Sequence, residues 1–276
     1  KNAWQTCIHY CNLIADTGYS LESDYTKNFA VHNENSQENI FTIPLDKMLY
    51  PNEFHYLFRS RHYAHGGAYS GASENGTCAT LHTMAVNGYG TDTPDTRLDM
   101  NFYTGKVEVD GKYVTLDDGT PLEYMPLAVE QNLTASKYIE TAGARMKKYE
   151  VDRTAYSDGR MPDNDIVLFR YADVLLMKAE AKTRNGESGD EELNAVRSRV
   201  GMPTLSATLD NILDERLREL VWEGWRRQDM IRFGTYNKQY DIHTPSDADQ
   251  KGYTNVFPIP EKARELNRNL KQNPGY

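Results

Sequence analysis

Apolar residues recur at three- and four-residue steps in several stretches of the chain, the spacing of one buried face on an α-helix. Ala3, Trp4, Ile8, Cys11 and Ala15 trace such a face at the start, with no cap before it and Gly18 as its stop. Ile40 to Leu45 reads as a short strand bounded by Pro44. From Met48 to about Ser136 the pattern turns irregular, with a glycine-rich run over residues 66–71, many tyrosines and a hairpin signal at Val107–Val114, where Asp110-Gly111 fits a type I′ turn. Helical spacing returns from Asp165. Leu168, Tyr171, Ala172, Leu175 and Ala179 form one stripe, small alanines marking where a neighbouring helix approaches, and Asn185-Gly186 ends it. A partner helix carries Leu193, Val196 and Val200 inward and stops at Gly201 and Pro203. The stretch Asp214–Gly234 reads as one helix whose apolar stripe is Ile212, Leu213, Leu217, Leu220, Val221 and Gly224. Glu215, Arg218, Glu219, Glu223, Arg226 and Arg227 fall largely outside that stripe. Pairs such as Glu215 with Arg218, Glu223 with Arg226 or Arg227, and Asp229 with Arg232 are then solvent-exposed and contribute a few tenths of a kcal/mol each.

Composition narrows the class. With 276 residues and 39% hydrophobic content, the chain can bury the core of one large domain or two small ones. No apolar run approaches the roughly 18 residues of a membrane-spanning helix. A net charge of -9 opposes nucleic acid as partner, since phosphate binding needs a concentrated basic surface. Cys7, Cys11 and Cys78 offer no complete disulfide framework, and Cys7 and Cys11, one helical turn apart, lack a second pair of metal ligands. They read as small buried residues.

The order Glu215-Arg216-x-Arg218-Glu219-Leu220-x-Trp222-Glu223-Gly224-x-Arg226-x-x-Asp229-x-x-Arg232-Phe233-Gly234 resembles the signature helix of the SusD/RagB family. Residues 169–181 and 193–201 are similar to the preceding helix pair of that family. Phe257-Pro258-Ile259-Pro260 and Gln272-Asn273-Pro274-Gly275-Tyr276 resemble its closing segments. Gly18-Tyr19-Ser20-Leu21 and Glu38-Asn39-Ile40-Phe41 fit its passage from helix into strand. Leu217, Trp225, Arg227 and Gln228 depart from the family pattern locally. The resemblance implies a mainly α fold, a SusD-like, tetratricopeptide-like helical superhelix with long irregular loops and short β-hairpins. It further implies that residues 1–276 are the C-terminal portion of one SusD-like domain. Within it, residues 1–48 hold a helix and strand, 49–136 a loop-rich ligand-binding region, 137–235 the helical core and 236–276 a docked, ordered tail. The family's members are outward-facing peripheral lipoproteins of the outer membrane that capture nutrients, usually glycans, for a SusC-like TonB-dependent transporter. The resemblance therefore implies a glycan ligand, that transporter as partner, no cofactor, and membrane contact only through an N-terminal lipid anchor outside this chain.

A glycan site is an aromatic platform with a polar rim, because sugar C–H faces lie flat on rings while hydroxyls seek amides, carboxylates and arginine. The irregular segment supplies that mixture in Tyr56, Tyr63, Tyr69, Tyr89 and Tyr103 beside Arg59, Arg61, His65, Asn75, Asn87 and Asp92. Tyr63, Tyr69 and Tyr89 are the leading platform candidates, with Arg61, His65 and Asn87 on the rim; each tyrosine taken singly can instead cover the core. Catalytic patterns are weaker. Glu215, Glu219 and Glu223 form a carboxylate ladder of the type glycoside hydrolysis uses, but interleaved arginines keep such groups ionised, whereas a general acid needs a raised pKa. Ser70 lacks flanking elbow glycines, the glycine-rich run lacks a phosphate-loop ending, His62 and His65 lack a third metal ligand, and Asp117-Asp118-Gly119 reads as a plain turn. A helical-repeat scaffold binding only protein and a glycoside hydrolase stand as alternatives to glycan capture.

Overall fold

The computed structural model describes residues 2–51 and 60–276. Two compact units divide the chain, Lys1–Gly224 and Trp225–Tyr276. In the first, helix α1 (Ala3–Ala15) begins with a cap after all. The Asn2 side chain accepts from the Gln5 N–H and the Gln5 side chain returns to the Asn2 N–H, satisfying two donors that open every helix. Strand β1 (Asn39–Ile43) follows, then short helices α2 (Tyr63–Ala68), α3 (Leu81–Val86) and α4 (Arg97–Asn101). Among the described residues, the segment expected to be irregular apart from its hairpin thus contains three helices of a turn or more; their short lengths hide the helical period.

Six two-residue strands come next: β2 (Phe102–Tyr103), β3 (Gly105–Lys106), β4 (Glu108–Val109), β5 (Lys112–Tyr113), β6 (Glu123–Tyr124) and β7 (Arg145–Met146). They pair antiparallel as β2 with β7, β3 with β6, and β4 with β5. The last pair is the expected hairpin, with Asp110 and Gly111 at φ 53° and 74°, as a type I′ turn requires. After the short helix α5 (Tyr156–Gly159), β8 (Ile166–Arg170) pairs antiparallel with β1 and runs directly into α6 (Tyr171–Arg184). Leu168 therefore belongs to a strand and not to the helical stripe assigned from spacing.

Helices α7 (Asp190–Arg199) and α8 (Leu209–Leu220) complete the unit, with α6 packed against α1, α7 and α8. Ala179 is fully buried, and a Cβ at Gly189 would stand 2.5 Å from its carbonyl oxygen. Close approach of the α6–α7 turn thus requires glycine. This mainly α arrangement agrees with a tetratricopeptide-like helix hairpin.

The charged helix differs from its sequence reading in two ways. It ends at Leu220, because Trp222 and Gly224 adopt left-handed backbone at φ 67° and 85°, and a separate helix, α9 (Arg226–Arg232), opens the second unit. Gly224 is accordingly exposed. More consequentially, Glu215 and Glu219 are fully buried. The carboxylates lie beside the apolar stripe of α8, and the elements packed there bring arginines.

Arg97 donates to Glu215 at 2.6 Å, Glu219 at 2.7 Å and Asp95 at 2.8 Å. Arg170, where β8 passes into α6, donates to Glu38 at 2.7 Å, Glu219 at 2.6 Å and Glu223 at 2.8 Å. Arg197 reaches Glu215 at 2.6 Å, while Arg199 bridges Glu38 and Glu219. Lys148 pairs with Glu223 and also donates to the Glu219 and Val221 carbonyls. Five carboxylates, Glu38, Asp95, Glu215, Glu219 and Glu223, thus meet five buried cations. Burial opposes the charge on Glu219, but Arg199, Arg170 and Arg97 outweigh it and hold the carboxyl well below its ordinary range. Glu223 is lowered likewise, with burial opposed by Arg170 and Lys148. The Lys148 ammonium is pulled down to about 8 by burial, against the attraction of Glu223.

The second unit contains α9, α10 (Asp247–Gln250) and α11 (Glu261–Leu266). The Arg227 guanidinium stacks 4.3 Å from the Phe257 ring centre and donates to the Thr254 carbonyl. Gln272 exchanges hydrogen bonds with the Ile259 backbone, and Tyr276 donates to the Val256 carbonyl, so the polar tail is tied to the chain preceding it. Asp229 and Arg232 pair at 2.9 Å, as their spacing predicts.

Glu219→Gln leaves Arg97, Arg170 and Arg199 undercompensated, so it should cost about 3–5 kcal/mol in place of a few tenths. Urea denaturation measures it, and a loss under about 1 kcal/mol would mean that the pairs behave as exposed ones. Acid acts on the same groups. Glu219 and Glu223 titrate below the ordinary glutamate value of 4.5 when folded. The unfolded chain therefore binds more protons below that value, and the stability they contribute is present above it and lost as pH falls through the folded values. Thermal midpoints between pH 7 and pH 3 should be level above about 5 and drop below it; stabilisation on acidification to about pH 4 would refute this assignment.

Candidate functional site

The six residues selected from sequence do not form one exposed platform. Tyr63, first residue of α2, is 60% exposed and presents its ring to solvent. Tyr69 is half-buried and has the guanidinia of Arg61 and Arg153 at 5.5 and 5.0 Å from its ring centre, so its faces already serve cations. Tyr89 packs against the buried cluster of Ala79, Met84, Leu98, Phe102 and Ala144. Asn87 is fully buried and donates back to the Thr83 carbonyl, binding the end of α3. Asn87 is thus an interior group, while Tyr89 is partly buried against that cluster. Tyr56 and Arg59 lie outside the described residues.

Arg61 and His65 are buried as well. His65 lies among Tyr69, Tyr103 and Tyr124, with ring centres 4.5–5.8 Å away, and its Nδ1 stands 3.1 Å from the Tyr124 hydroxyl. Burial first, then Arg61 and His62, lowers its pKa to about 3, so the imidazole is neutral. The Arg61 guanidinium lies 5.9 Å from the Tyr103 ring centre as well as against Tyr69. These residues make an aromatic knot beneath the surface. Tyr69 and Tyr103 pack in turn against the buried cluster of Val107, Val109, Val114, Leu122 and Tyr124.

A partly open cavity of about 40 Å³ borders this knot. Arg61, Gly66, Tyr69 and the turn Ser70–Ser73 form one side; residues 150–153, Ala155, Gly159, Pro162 and Asn164 form the other. A Cβ at Gly66 would stand 2.0 Å from the Ser73 Oγ, so the turn folds onto α2 only with glycine there. Ser70 at the rim has φ 59°, a strained backbone for a residue with a side chain.

The cavity combines donors and acceptors with apolar wall atoms. Its carboxylates are engaged: Asp152 accepts from Thr154 and the Asp163 N–H, and Glu150 from the Val31 N–H. Ser73 and Asn164 were not identified from sequence. Ser73 follows the glycine-rich run and Asn164 lies between Asp163 and Asp165 just before β8, with no local pattern uniting them.

The remaining chemistry points away from catalysis at the residues that raised it. Glu215, Glu219 and Glu223 are paired on every side, and Glu219 and Glu223 are held ionised, the reverse of a general acid. His62 caps α2 through Nδ1 and meets Glu140 through Nε2 at 3.2 Å. Among the described residues no group of three His, Cys, Asp or Glu side chains is placed to hold a metal ion. The Asp118 carboxylate accepts from the Thr120 N–H and hydroxyl, making a turn. Tyr50 and Tyr156 are also exposed rings, and the Lys47 ammonium lies 5.7 Å from the Tyr156 ring centre.

Residues 17–276 match the SusD family. The chain belongs to the SusD family. Over 139 residues this SusD-family chain is 33% identical to the starch-binding protein SusD of Bacteroides thetaiotaomicron, a match covering 48% of the chain and 25% of that protein. Over 99 residues it is 36% identical to the SusD-like protein P38 of Formosa agariphila, covering 30% and 19%. Among solved structures, surface glycan-binding protein A from Bacteroides thetaiotaomicron superposes with a TM-score of 0.72 at 23% identity. That superposition covers 98% of the SusD-family chain and 59% of the other. Surface glycan-binding protein A from the same organism in complex with laminarihexaose superposes at 0.66 and 22% identity, with coverage of 98% and 59%. The chain thus spans little more than half the length of these structures, and a quarter or less of the two sequence relatives lies within the matched regions.

Tyr63→Ala should change stability by less than about 0.5 kcal/mol, as expected of an exposed ring, whereas Tyr89→Ala should cost about 2 kcal/mol through lost packing. Denaturation of the two variants in parallel measures the difference, and equal costs would contradict their assignment to surface and core.

Proposed function

We propose that this SusD-family chain is part of a cell-surface protein that captures an oligo- or polysaccharide and passes it to a SusC-like TonB-dependent transporter without altering it chemically. The observation carrying the reading is the family match over residues 17–276, joined to relatives described as starch-binding and glycan-binding and to a structural neighbour in complex with laminarihexaose. The surface supports it in kind. Tyr63, Tyr50 and Tyr156 are exposed rings, and polar side chains accompany them, the mixture that sugar faces and hydroxyls require. The non-catalytic part rests on the charged ladder, where the carboxylates are already consumed by structural cations.

Residence at the outer membrane through a lipid anchor, facing outward, belongs to the same reading. Among the described residues no helix is long and apolar enough to cross a membrane, so a lipid chain or a membrane-embedded partner would hold the protein there. Residues 1–276 are then the C-terminal portion of one SusD-like domain.

The full-length protein, screened on a glycan array and purified from membranes with its anchor intact, should bind at least one glycan class and co-purify with a large β-barrel. Alanine at a platform tyrosine, Tyr63 being the first to replace, should weaken glycan binding by roughly 1–3 kcal/mol with the fold intact, if sugar stacking resembles other aromatic stacking. Recovery as a free monomer while the transporter is expressed would remove the delivery step, and turnover of a bound glycan would remove the non-enzymatic reading.

A further inference from the structure

We propose that Asn75-Gly76 is a site of spontaneous hydrolytic modification, at which the Asn75 amide becomes an acid that pairs with the buried Arg145 guanidinium. Arg145 is 3% exposed, yet among the described residues no carboxylate pairs with it. Its Nη atoms donate to the Glu140, Ala142 and Gly143 carbonyls and to the Asn75 Oδ1, the last at 3.1 Å. The Tyr124 ring centre lies 5.1 Å away, and burial pushes up the pKa of the neighbouring Cys78 thiol, which stays neutral. By contrast, the buried cations Arg97, Lys148, Arg170, Arg197 and Arg216 each meet a carboxylate. A buried charge without a counter-charge is costly, and an acid at Asn75 supplies one where an amide oxygen now stands.

The chemistry consumes only water. The Gly76 backbone nitrogen loses its proton and attacks the Asn75 side-chain carbonyl carbon. The bond from that carbon to Nδ2 breaks, ammonia leaves, and water opens the resulting cyclic imide to aspartate or isoaspartate. Glycine in the following position leaves the attacking nitrogen unhindered, and the chain has three such steps, at Asn75-Gly76, Asn87-Gly88 and Asn185-Gly186. The structure separates them. Asn87 and Asn185 cap the ends of α3 and α6, where the Gly88 N–H donates to the Ala85 carbonyl at 2.9 Å and the Gly186 N–H to the Thr183 carbonyl at 3.2 Å. Gly76 lies outside any helix or strand, and its N–H has no acceptor among the described residues. A Cβ built on it would meet nothing within 4 Å, so the space for movement is open. The Asn75 amide is held ready, its Nδ2 donating to the Glu140 carbonyl at 2.9 Å. The Arg145 donor on Oδ1 polarises the carbonyl and stabilises the negative charge which that oxygen gains under attack.

The test ages the full-length protein at physiological pH and temperature and localises amide-to-acid conversion by tandem mass spectrometry. Conversion at Asn75 should outrun that at Asn87 and Asn185 about tenfold, the rate equivalent of the backbone hydrogen bond that must first open at the other two. Gly76→Ala, which the open space admits, should slow conversion at Asn75 severalfold and leave the other two unchanged. Asn75→Asp installs the product directly. Its thermal midpoint at neutral pH should exceed that of Asn75→Ala, and the advantage should vanish as acid protonates the new carboxyl. If Gly76→Ala does not fold, the ranking of the three sites in the unaltered protein decides. Conversion at Asn75 no faster than at the other two, or unslowed in a folded Gly76→Ala, would overturn the modification site. An Asn75→Asp variant no more stable than Asn75→Ala would overturn the pairing with Arg145.

Discussion

Glu219 has no solvent to ionise into, and that constraint organises the first unit. A carboxylate taken out of water costs several kcal/mol unless cations and hydrogen-bond donors replace its hydration. Glu219 meets Arg97 from α4, Arg170 from the end of β8 and Arg199 from α7. These three are separated from it by 122, 49 and 20 positions in the chain. None can leave without exposing another, because Arg97 also neutralises Glu215 and Arg170 also neutralises Glu38 and Glu223. Such a network is weak evidence of high stability compared with an apolar core. Its consequence here is that distant elements are brought to one point, since the partners of Glu219 come from α4, the end of β8 and α7.

The network also accounts for the β1–β8 ribbon in a mainly helical unit. Glu38 immediately precedes β1 and Arg170 closes β8, with Asn39 opposite Arg170 in the register. The Tyr171 N–H donates to the Glu38 carbonyl at 2.9 Å, so the strand pair is tied to the start of α6 by backbone as well as charge. Lys148 carries the same system toward the loop-rich segment. Its ammonium holds Glu223 and two carbonyls while lying 4.6 Å from the Phe29 ring centre, and the next residues, Tyr149 and Glu150, lead to the cavity wall. The charged centre and the polar cavity are therefore joined through Tyr149 and Glu150.

The buried cations around the carboxylate ladder explain why it lacks the electrostatics of a general acid. Carboxylates that catalyse need at least one partner with a raised pKa and access to solvent or substrate. Carboxylates that assemble a fold need the reverse, and Glu219 and Glu223 have it. At the cavity the uncharged Ser73 and Asn164 side chains stand beside the Arg61 guanidinium.

By itself the sequence determined what depends on local spacing and on ordered motifs: the C-terminal stops of α1, α6 and α7, the Asp110-Gly111 hairpin, the close-packed Ala179, and the family carried by residues 215–234. Each follows from contacts within a turn or two, or from a residue order that survives without knowledge of packing. Only the tertiary structure decided which charges are buried. A helical wheel places Glu215 and Glu219 beside the apolar stripe, but solvent or an arginine from a distant element can equally fill the space opposite them. It likewise decided that Asn87, Arg61 and His65 are interior groups, that Tyr89 packs on a core and that Tyr69 is covered by guanidinia, because a turn-rich sequence sets where a ring starts and not what folds over it. Ser73 and Asn164 lie 91 positions apart and become neighbours of one cavity only when α2, the Ser70–Ser73 turn and the segment before β8 close upon each other. That information is in the long-range packing, which no window of the sequence contains.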